Sequence, residues 1–362
     1  MVIEDPERVR IDRLRRQLLE WYARNRRDLP WRRNPEPYTV WVSEIMLQQT
    51  RAAVVVERYQ AFLERFPSLL SLALAPEQDV LAQWSGLGYY RRARMLHKAA
   101  QYVASHYGGN LPASSEELRL LPGIGVYTAA AIASIAHGEA VAVVDGNVER
   151  VLCRLEGWEA GSRKGGGAAL RRKIEELAGE LVEPARPGDS NQALMELGAT
   201  VCLPRKPHCK ACPLHRDCAT RGEHKTPPRP PMLSREVAHA LSVRTGRQPG
   251  QAHREVLLEQ RPASLTVMPG LWELPVLRDP QVPEIELRMT VRHAIMQVNY
   301  YVRIRTVFED DVEAMTVAGG ERRWVSLAAA AGMALTGLTR KVLTRAHLLP
   351  AASLDEIALK RG

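Results

Sequence analysis

The sequence predicts a mainly helical region to about residue 222, then a small α+β domain over 237–362, with a linker at 223–236. Three observations predict this. Apolar residues recur at three- and four-residue spacing through the first region. Four prolines fall within the seven residues Lys225–Pro231, a stretch that cannot sit inside a packed helix. Beyond it, segments rich in Val, Ile, Thr and Tyr read as strands.

Taken in order, Leu14, Leu18, Trp21 and Tyr22 mark an early helix, and Val55, Tyr59, Phe62 and Phe66 a later one. Ser114 followed by Glu117 is a capping box that opens a helix running to Leu121. Leu121-Pro122-Gly123-Ile124-Gly125 then turns the chain into an alanine-rich helix, Val126 to Ala136. An apolar run, Ala140 to Val144, ends at Asp145, where another helix starts. In the second region Ala238–Val243, Glu255–Gln260 and Met289–Val307 read as strands, and Gly337–His347 as a closing helix. No repeat of 20 to 50 residues is evident.

Hydrophobic residues make up 45% of the chain and charged residues 25%, which excludes generic disorder and collagen-like structure. The longest apolar runs are too short to span a bilayer, so no membrane partner is expected. The first residues, Met1-Val2-Ile3-Glu4-Asp5, lack the pattern of a secretory signal, and a cytoplasmic protein is expected. The net charge is +9, with 31 basic against 26 acidic residues through Gly222 and +4 beyond it. Such a balance suits a polyanion such as nucleic acid, although it equally fits a slightly basic enzyme.

Four features carry chemistry. The glycines of the LPGIG turn leave N–H groups unblocked at a helix start, which is a phosphate cradle. A glycine turn alone is only a turn, but helix–LPGIG–helix in a basic chain favours DNA contact through Leu121, Gly123 and Gly125. Cys202, Cys209, Cys212 and Cys218 form a C-x6-C-x2-C-x5-C window able to surround one metal centre. Spacing alone leaves zinc and a 4Fe-4S cluster both open. Glu44 has Val40, Trp41, Leu47 and Gln48 as helical neighbours, and a carboxylate on such a face loses hydration and holds its proton more tightly. By pattern alone it reads more readily as an acid at the edge of a buried face, paired with an arginine. Asp145 sits at an N-cap, where backbone N–H groups favour the ionised form. A neutral acid and a fixed anion together are what an oxocarbenium-like glycosidic cleavage requires.

Gln48-Gln49-Thr50 and Gly86-Leu87-Gly88-Tyr89-Tyr90-Arg91-Arg92 add amide and aromatic groups on turns, suited to entering a base stack. No lysine occurs between Lys98 and Lys164, so the hairpin offers no amine for a Schiff base; Tyr127 stands in its second helix.

Together these segments, with Ser43–Thr50 and Val144–Val148, resemble the MutY-type adenine DNA glycosylases of the helix-hairpin-helix superfamily, to which endonuclease III also belongs. The resemblance covers nearly all of residues 20–220. It implies a helical glycosylase region over 1–222, with the hairpin at about 113–137 and an iron–sulfur loop at 202–218. A 4Fe-4S cluster held by Cys202, Cys209, Cys212 and Cys218 is implied. So is a monomer acting on double-stranded DNA with adenine mispaired to 8-oxoguanine or guanine. Glu44 would protonate N7 of the flipped adenine and manage the attacking water. Asp145 would stabilise the cationic sugar, with Tyr127 and Asn147 close by. Arg32 and Gln192 match positions lining the adenine pocket, Gln49 and Tyr89 match wedging residues, and Gln48 lies beside them. Endonuclease III relatives carry lysine where Tyr127 stands, so no efficient lyase activity is implied. Met268–Pro275 resembles a turn of the family's Nudix-like 8-oxoguanine-reading domain. There His293-Ala294-Ile295-Met296-Gln297 departs from the family's His-x-Phe-Ser/Thr-His loop, leaving Gln297 as a hydrogen-bonding group. The alternatives are an endonuclease III-like lyase and an iron–sulfur DNA-binding module without catalysis.

Overall fold

The structure, a computed structural model, describes residues 5–159, 167–224, 231–246, 253–317 and 319–350. The chain forms two compact units. One comprises residues 1–74 and 95–227, the other 75–94 and 228–362. Residues 225–230 of the expected linker lie outside the described residues.

The first unit is helical. Asp5 caps the helix Pro6–Asn25 by accepting the Glu7 N–H at 3.1 Å, with Pro6 at the first position, where no N–H is needed. That helix shares a core with Gly146–Glu156, Gly167–Leu181 and Pro187–Thr200, built from Leu14, Leu18, Tyr22, Leu152, Leu177, Leu194 and Leu197. A further helix, Pro37–Leu47, is buried on seven successive residues, Val40 to Met46. A segment apolar on all sides must be wrapped on all sides. It packs against the helices Ala52–Arg65 and Val126–Ala136. Burying a side chain such as Trp41 contributes on the order of 2–3 kcal/mol.

Helix Val126–Ala136 forms as expected. The helix before it is shorter than expected, Ser115–Leu118 rather than reaching Leu121. Ser114 accepts the Glu117 N–H at 3.2 Å as the capping box requires, but Leu121 N–H bonds to Leu118 and Ile124 N–H to Leu121, so tight turns replace the last turn. Gly123, at φ +77°, reverses the chain.

The helix Pro187–Thr200 approaches two neighbours through glycine. A Cβ on Gly198 would lie 2.6 Å from Cβ of Asn147, and one on Gly188 would lie 2.9 Å from Cα of Ile135. The starts of the helices bearing Asn147 and Gly188 are thus packed nearly backbone to backbone on their partners.

The second unit holds the strands β1 (Leu233–Leu241), β2 (Val243–Thr245), β3 (Arg254–Gln260), β4 (Trp272–Glu273), β5 (Leu287–Ile295), β6 (Val298–Thr306) and β7 (Arg322–Ser326). One sheet has the order β1-β6-β5, with β1 parallel to β6. In the other, β3 pairs with β2, β4 and β7, all antiparallel. Leu258, Val291, Val302, Ile304 and Leu343 lie in their common core, with Leu343 from the closing helix Gly337–Arg345. The stretch expected as strand over Met289–Val307 is a hairpin. Met296, at φ +54°, and Gln297 form its two-residue turn, and strand-favouring residues on both sides with no glycine or proline between them hide that break. Strands β4 and β7 lack the alternation that would reveal them. Residues 75–94 join this unit through side chains: Tyr90 Oη donates to Leu335 O at 3.2 Å and Arg340 Nε to Ser85 Oγ at 2.8 Å.

Replacing Gly198 by alanine forces a methyl into Asn147, and we expect a loss of about 1–3 kcal/mol. Thermal unfolding of G198A checks this; an unchanged melting temperature would mean that the two helices separate freely.

Candidate active site

A cavity of about 910 Å³ opens within the first unit, and Glu44, Tyr127, Asp145, Asn147, Arg32 and Gln192 all line it. The two acids singled out in the sequence therefore share one chamber.

Glu44 sits mid-helix and is 5% exposed. Tyr127 Oη donates to its Oε2 at 2.7 Å. Burial raises the Glu44 pKa most. The tyrosine bond lowers it, the nearby Asp145 charge raises it, and the Arg32 charge lowers it, leaving it at about 7. The carboxyl thus gains and loses its proton near neutrality. Burial, reinforced by the charges of Glu44 and Asp145, pushes the Tyr127 phenol well up, so it keeps its proton and remains a donor.

Asp145 is built differently. Its Oδ1 accepts the backbone N–H of Asn147 at 2.8 Å and of Val148 at 2.7 Å, and its Oδ2 accepts Asn147 Nδ2 at 2.9 Å. All three donors come from the helix that it caps, whose positive end faces it. The bonds are those of an acceptor held in one rotamer. Asn147 is fixed in turn, because Arg150 Nη2 donates to its Oδ1 at 2.8 Å.

The same cavity is lined by Glu196 and Arg27, which the sequence does not single out. Glu196, 1% exposed, accepts Arg27 Nε at 2.7 Å, Arg27 Nη2 at 2.8 Å, Arg27 N at 3.0 Å and Arg32 Nη2 at 2.8 Å. Burial alone would raise its pKa, but these bonds overcome it and hold the acid at about 2. Arg32 Nε donates to Gln192 Oε1 at 3.1 Å, and Tyr22 Oη reaches the same oxygen at 3.2 Å. Glu196 lies four residues after Gln192 on one helix, so the two share a face. That spacing, with an acid in the apolar second half of the helix, is the signal available in the sequence.

Of the remaining residues, Gln48 and Gln49 line the same cavity and the others lie elsewhere. Gln48 Nε2 donates to Thr128 Oγ1 at 3.2 Å and ties the Glu44 helix to the hairpin. Gln49 is exposed at φ +56° at the cavity rim. Tyr89 belongs to the other unit, where it is 51% exposed at φ +47°. There Arg92 donates to Leu87 O and Gly88 O and lies 5.6 Å from the Tyr89 ring centre. Gln297 is exposed on the β5–β6 turn. In the hairpin, Gly123 and Gly125 are exposed, and no side chain caps the helix that starts at Val126. The side chain of Leu121 is buried in the core, so it offers only backbone atoms.

Cys202, Cys209, Cys212 and Cys218 are free thiols around a small cavity closed by Val151, Leu155, Leu197 and Leu214. Arg154 Nη1 lies 3.4 Å from Cys202 Sγ. Among the described residues no three such side chains converge as ligands of a single ion. The thiols thus ring a space, with an apolar wall behind and a cation beside it.

A buried acid and a capping carboxylate thus share one chamber, in a unit that also carries a hairpin with a bare helix start. Residues 42–182 match the model of the HhH-GPD superfamily base excision DNA repair proteins, and the chain belongs to that superfamily. The chain is 49% identical over 216 residues to the human adenine DNA glycosylase, covering 57% of this chain and 39% of the human one. It thus spans well under two thirds of the relative's length. Among solved structures, a thermostable thymine-DNA glycosylase is 31% identical, with a TM-score of 0.55 over 60% of this chain and 99% of that one. An endonuclease III–DNA covalent complex shares the fold, at 21% identity and a TM-score of 0.50 over 59% of this chain and 96% of that one.

The Glu44 pKa carries a stability consequence. From its ordinary value of 4.5 it rises to about 7 in the fold. Below both values the fold gains or loses nothing; as pH climbs through that window the folded state must give up a proton it holds tightly, and stability falls. Above pH 7 the ionised Glu44 therefore costs the fold up to about 3 kcal/mol. E44Q should melt higher than the unaltered protein at pH 8 and at the same temperature at pH 4. A variant that melts lower at pH 8 would mean that the carboxylate is stabilised as an anion.

Proposed function

We propose that the protein is a monofunctional adenine DNA glycosylase that removes adenine mispaired with 8-oxoguanine or guanine, in base excision repair. The observation that carries the reading is the placement of Glu44 and Asp145 in one cavity, one acid poised near neutrality and the other held as an acceptor. The 49% identity to an adenine DNA glycosylase supports adenine as the base.

The bond to be cut is inaccessible in a stacked duplex, so the nucleotide must swing out into the cavity. The exposed Gly123 and Gly125, at the uncapped start of the helix from Val126, supply backbone N–H groups for a phosphate. Glu44 gives its proton to N7 of adenine. The C1′–N9 bond then breaks and its electron pair leaves with the base, while positive charge develops on the sugar. Asp145 faces that charge as a fixed anion, and Asn147 keeps its oxygens turned. Glu44, now ionised, takes a proton from the water that adds to C1′ and is ready again. Tyr127, through its hydroxyl, holds the Glu44 carboxyl in place. Among the described residues no lysine lines the cavity, which supports hydrolysis without strand cleavage.

The four cysteines fit a 4Fe-4S cluster. Their spread around a space suits a centre that brings its own irons and sulfides, more than one zinc ion with Zn–S of about 2.3 Å. When bound, the cluster would cross-link the 202–218 loop, and no step of base release passes through it. Reading of the base opposite adenine is assigned to the second unit, with Gln297 as a hydrogen-bonding group on its exposed turn.

Single-turnover assays on duplexes with A opposite 8-oxoguanine, G, C or T, and with T opposite G, test the reading. Adenine should leave from the first two, without strand nicking in the absence of alkali. E44Q should lose at least about a hundredfold in rate while still binding the duplex. Release of thymine alone, or unaltered release by E44Q, would overturn it. Purified protein should carry roughly four irons and four sulfides per chain, and C209S markedly less. Zinc in place of iron would refute the cluster.

A further inference from the structure

The cavity holds a third carboxylate that the proposed reaction does not use. Glu196 is buried, satisfied by four N–H donors and ionised throughout the physiological range. An acid so placed is costly to bury unless its charge is needed there. Its partners show what that need is. Arg27 and Arg32 both line the cavity, and Arg32 meets Gln192 through Nε while Glu196 holds its Nη2. Without Glu196, two guanidinium groups would face the chamber in which a base is to be protonated and a sugar is to become cationic. With it, they count as a single positive charge, and Arg32 is fixed in one orientation against Gln192.

We propose that Glu196 is a positioning residue for base release: it locks Arg32 onto Gln192 and cancels one arginine charge that would otherwise oppose the proton on Glu44. The inference rests on the glycosylase reading. The groups that act on Glu44 are Tyr127 from the hairpin helix, Asp145 from the cap and Arg32 from the turn Pro30–Arg32. Arg51, just before the helix Ala52–Arg65, also lines the cavity. Of these, only Arg32 is bonded to Glu196.

The pH profile of single-turnover adenine release distinguishes this role from simple packing. Release requires protonated Glu44, so the rate falls as pH rises through its titration. In E196Q the arginine charges are uncancelled, Glu44 ionises sooner, and the alkaline limb should move to lower pH by about half a unit or more. The rate at pH 8 should fall at least threefold. E196D, which keeps the charge, should return the limb toward its original position. Arg27→Gln removes a cation instead, and its limb should move to higher pH. Limbs that stay in place in both E196Q and R27Q would overturn the proposal while leaving the glycosylase reading intact. If E196Q does not fold, R27Q decides: an upward shift supports the role, and no shift or a downward one overturns it. Absence of adenine release by the unaltered protein would instead overturn the glycosylase reading beneath it.

Discussion

The burial of one carboxyl group governs this molecule. Glu44 stands in the middle of a helix whose neighbouring residues, Val40 to Met46, are all removed from water. No side chain on that helix can solvate it, so its environment is supplied by other elements: a phenol from the hairpin, an anion from a helix cap and a cation from a short turn. The fold must bring those three to one place before the acid has any defined protonation behaviour. Dry surroundings raise its affinity for a proton, and the phenol and the arginine pull it partway back. A group balanced in this way can both give and accept a proton at one pH, whereas an acid in water can only accept.

Three carboxylates line the same chamber and are held in three ways. Glu44 has one donor and a dry pocket. Asp145 has three donors from its own helix start, so its orientation is set by local backbone. Glu196 has two arginines, one reaching from the segment after the first helix and one from the turn that follows. The same functional group is poised near its titration point, fixed in one rotamer or clamped between cations according to what surrounds it. The division between the first two needs only a difference in hydration and in the source of the hydrogen bonds.

What was legible in the sequence follows the range of the interaction concerned. The cap at Asp145 is made within three residues, and the hairpin helix from Val126 is specified by its own glycines and alanines; both were read correctly. The dry niche of Glu44 was legible as a run of apolar letters, but pattern alone favoured an edge position paired with arginine. The Tyr127 contact, across 83 positions, decides otherwise. The partners of Glu196 lie some 165 residues away, so its spacing from Gln192 hints at a shared face but does not show that the acid is clamped. The side chain of Leu121 serves the core while the glycines of its turn are exposed, a division that the motif alone does not reveal. The break between β5 and β6 escaped because the turn residues Met296 and Gln297 are not the glycine or asparagine that such a turn favours.

The contact of Gly188 with Ile135 and of Gly198 with Asn147 has one more implication. The helix between them bears Gln192 and Glu196, while its two partners bear Tyr127 and Asp145. The gap between the walls of the chamber is therefore gauged at two points by the absence of a methyl group. A chain can acquire a wider or narrower chamber, and so a different tolerance for the size of what enters it, without any change in the acids and arginines that line it. Selectivity and chemistry are in this sense separately adjustable, and the adjustment lies in the spacing of helix axes.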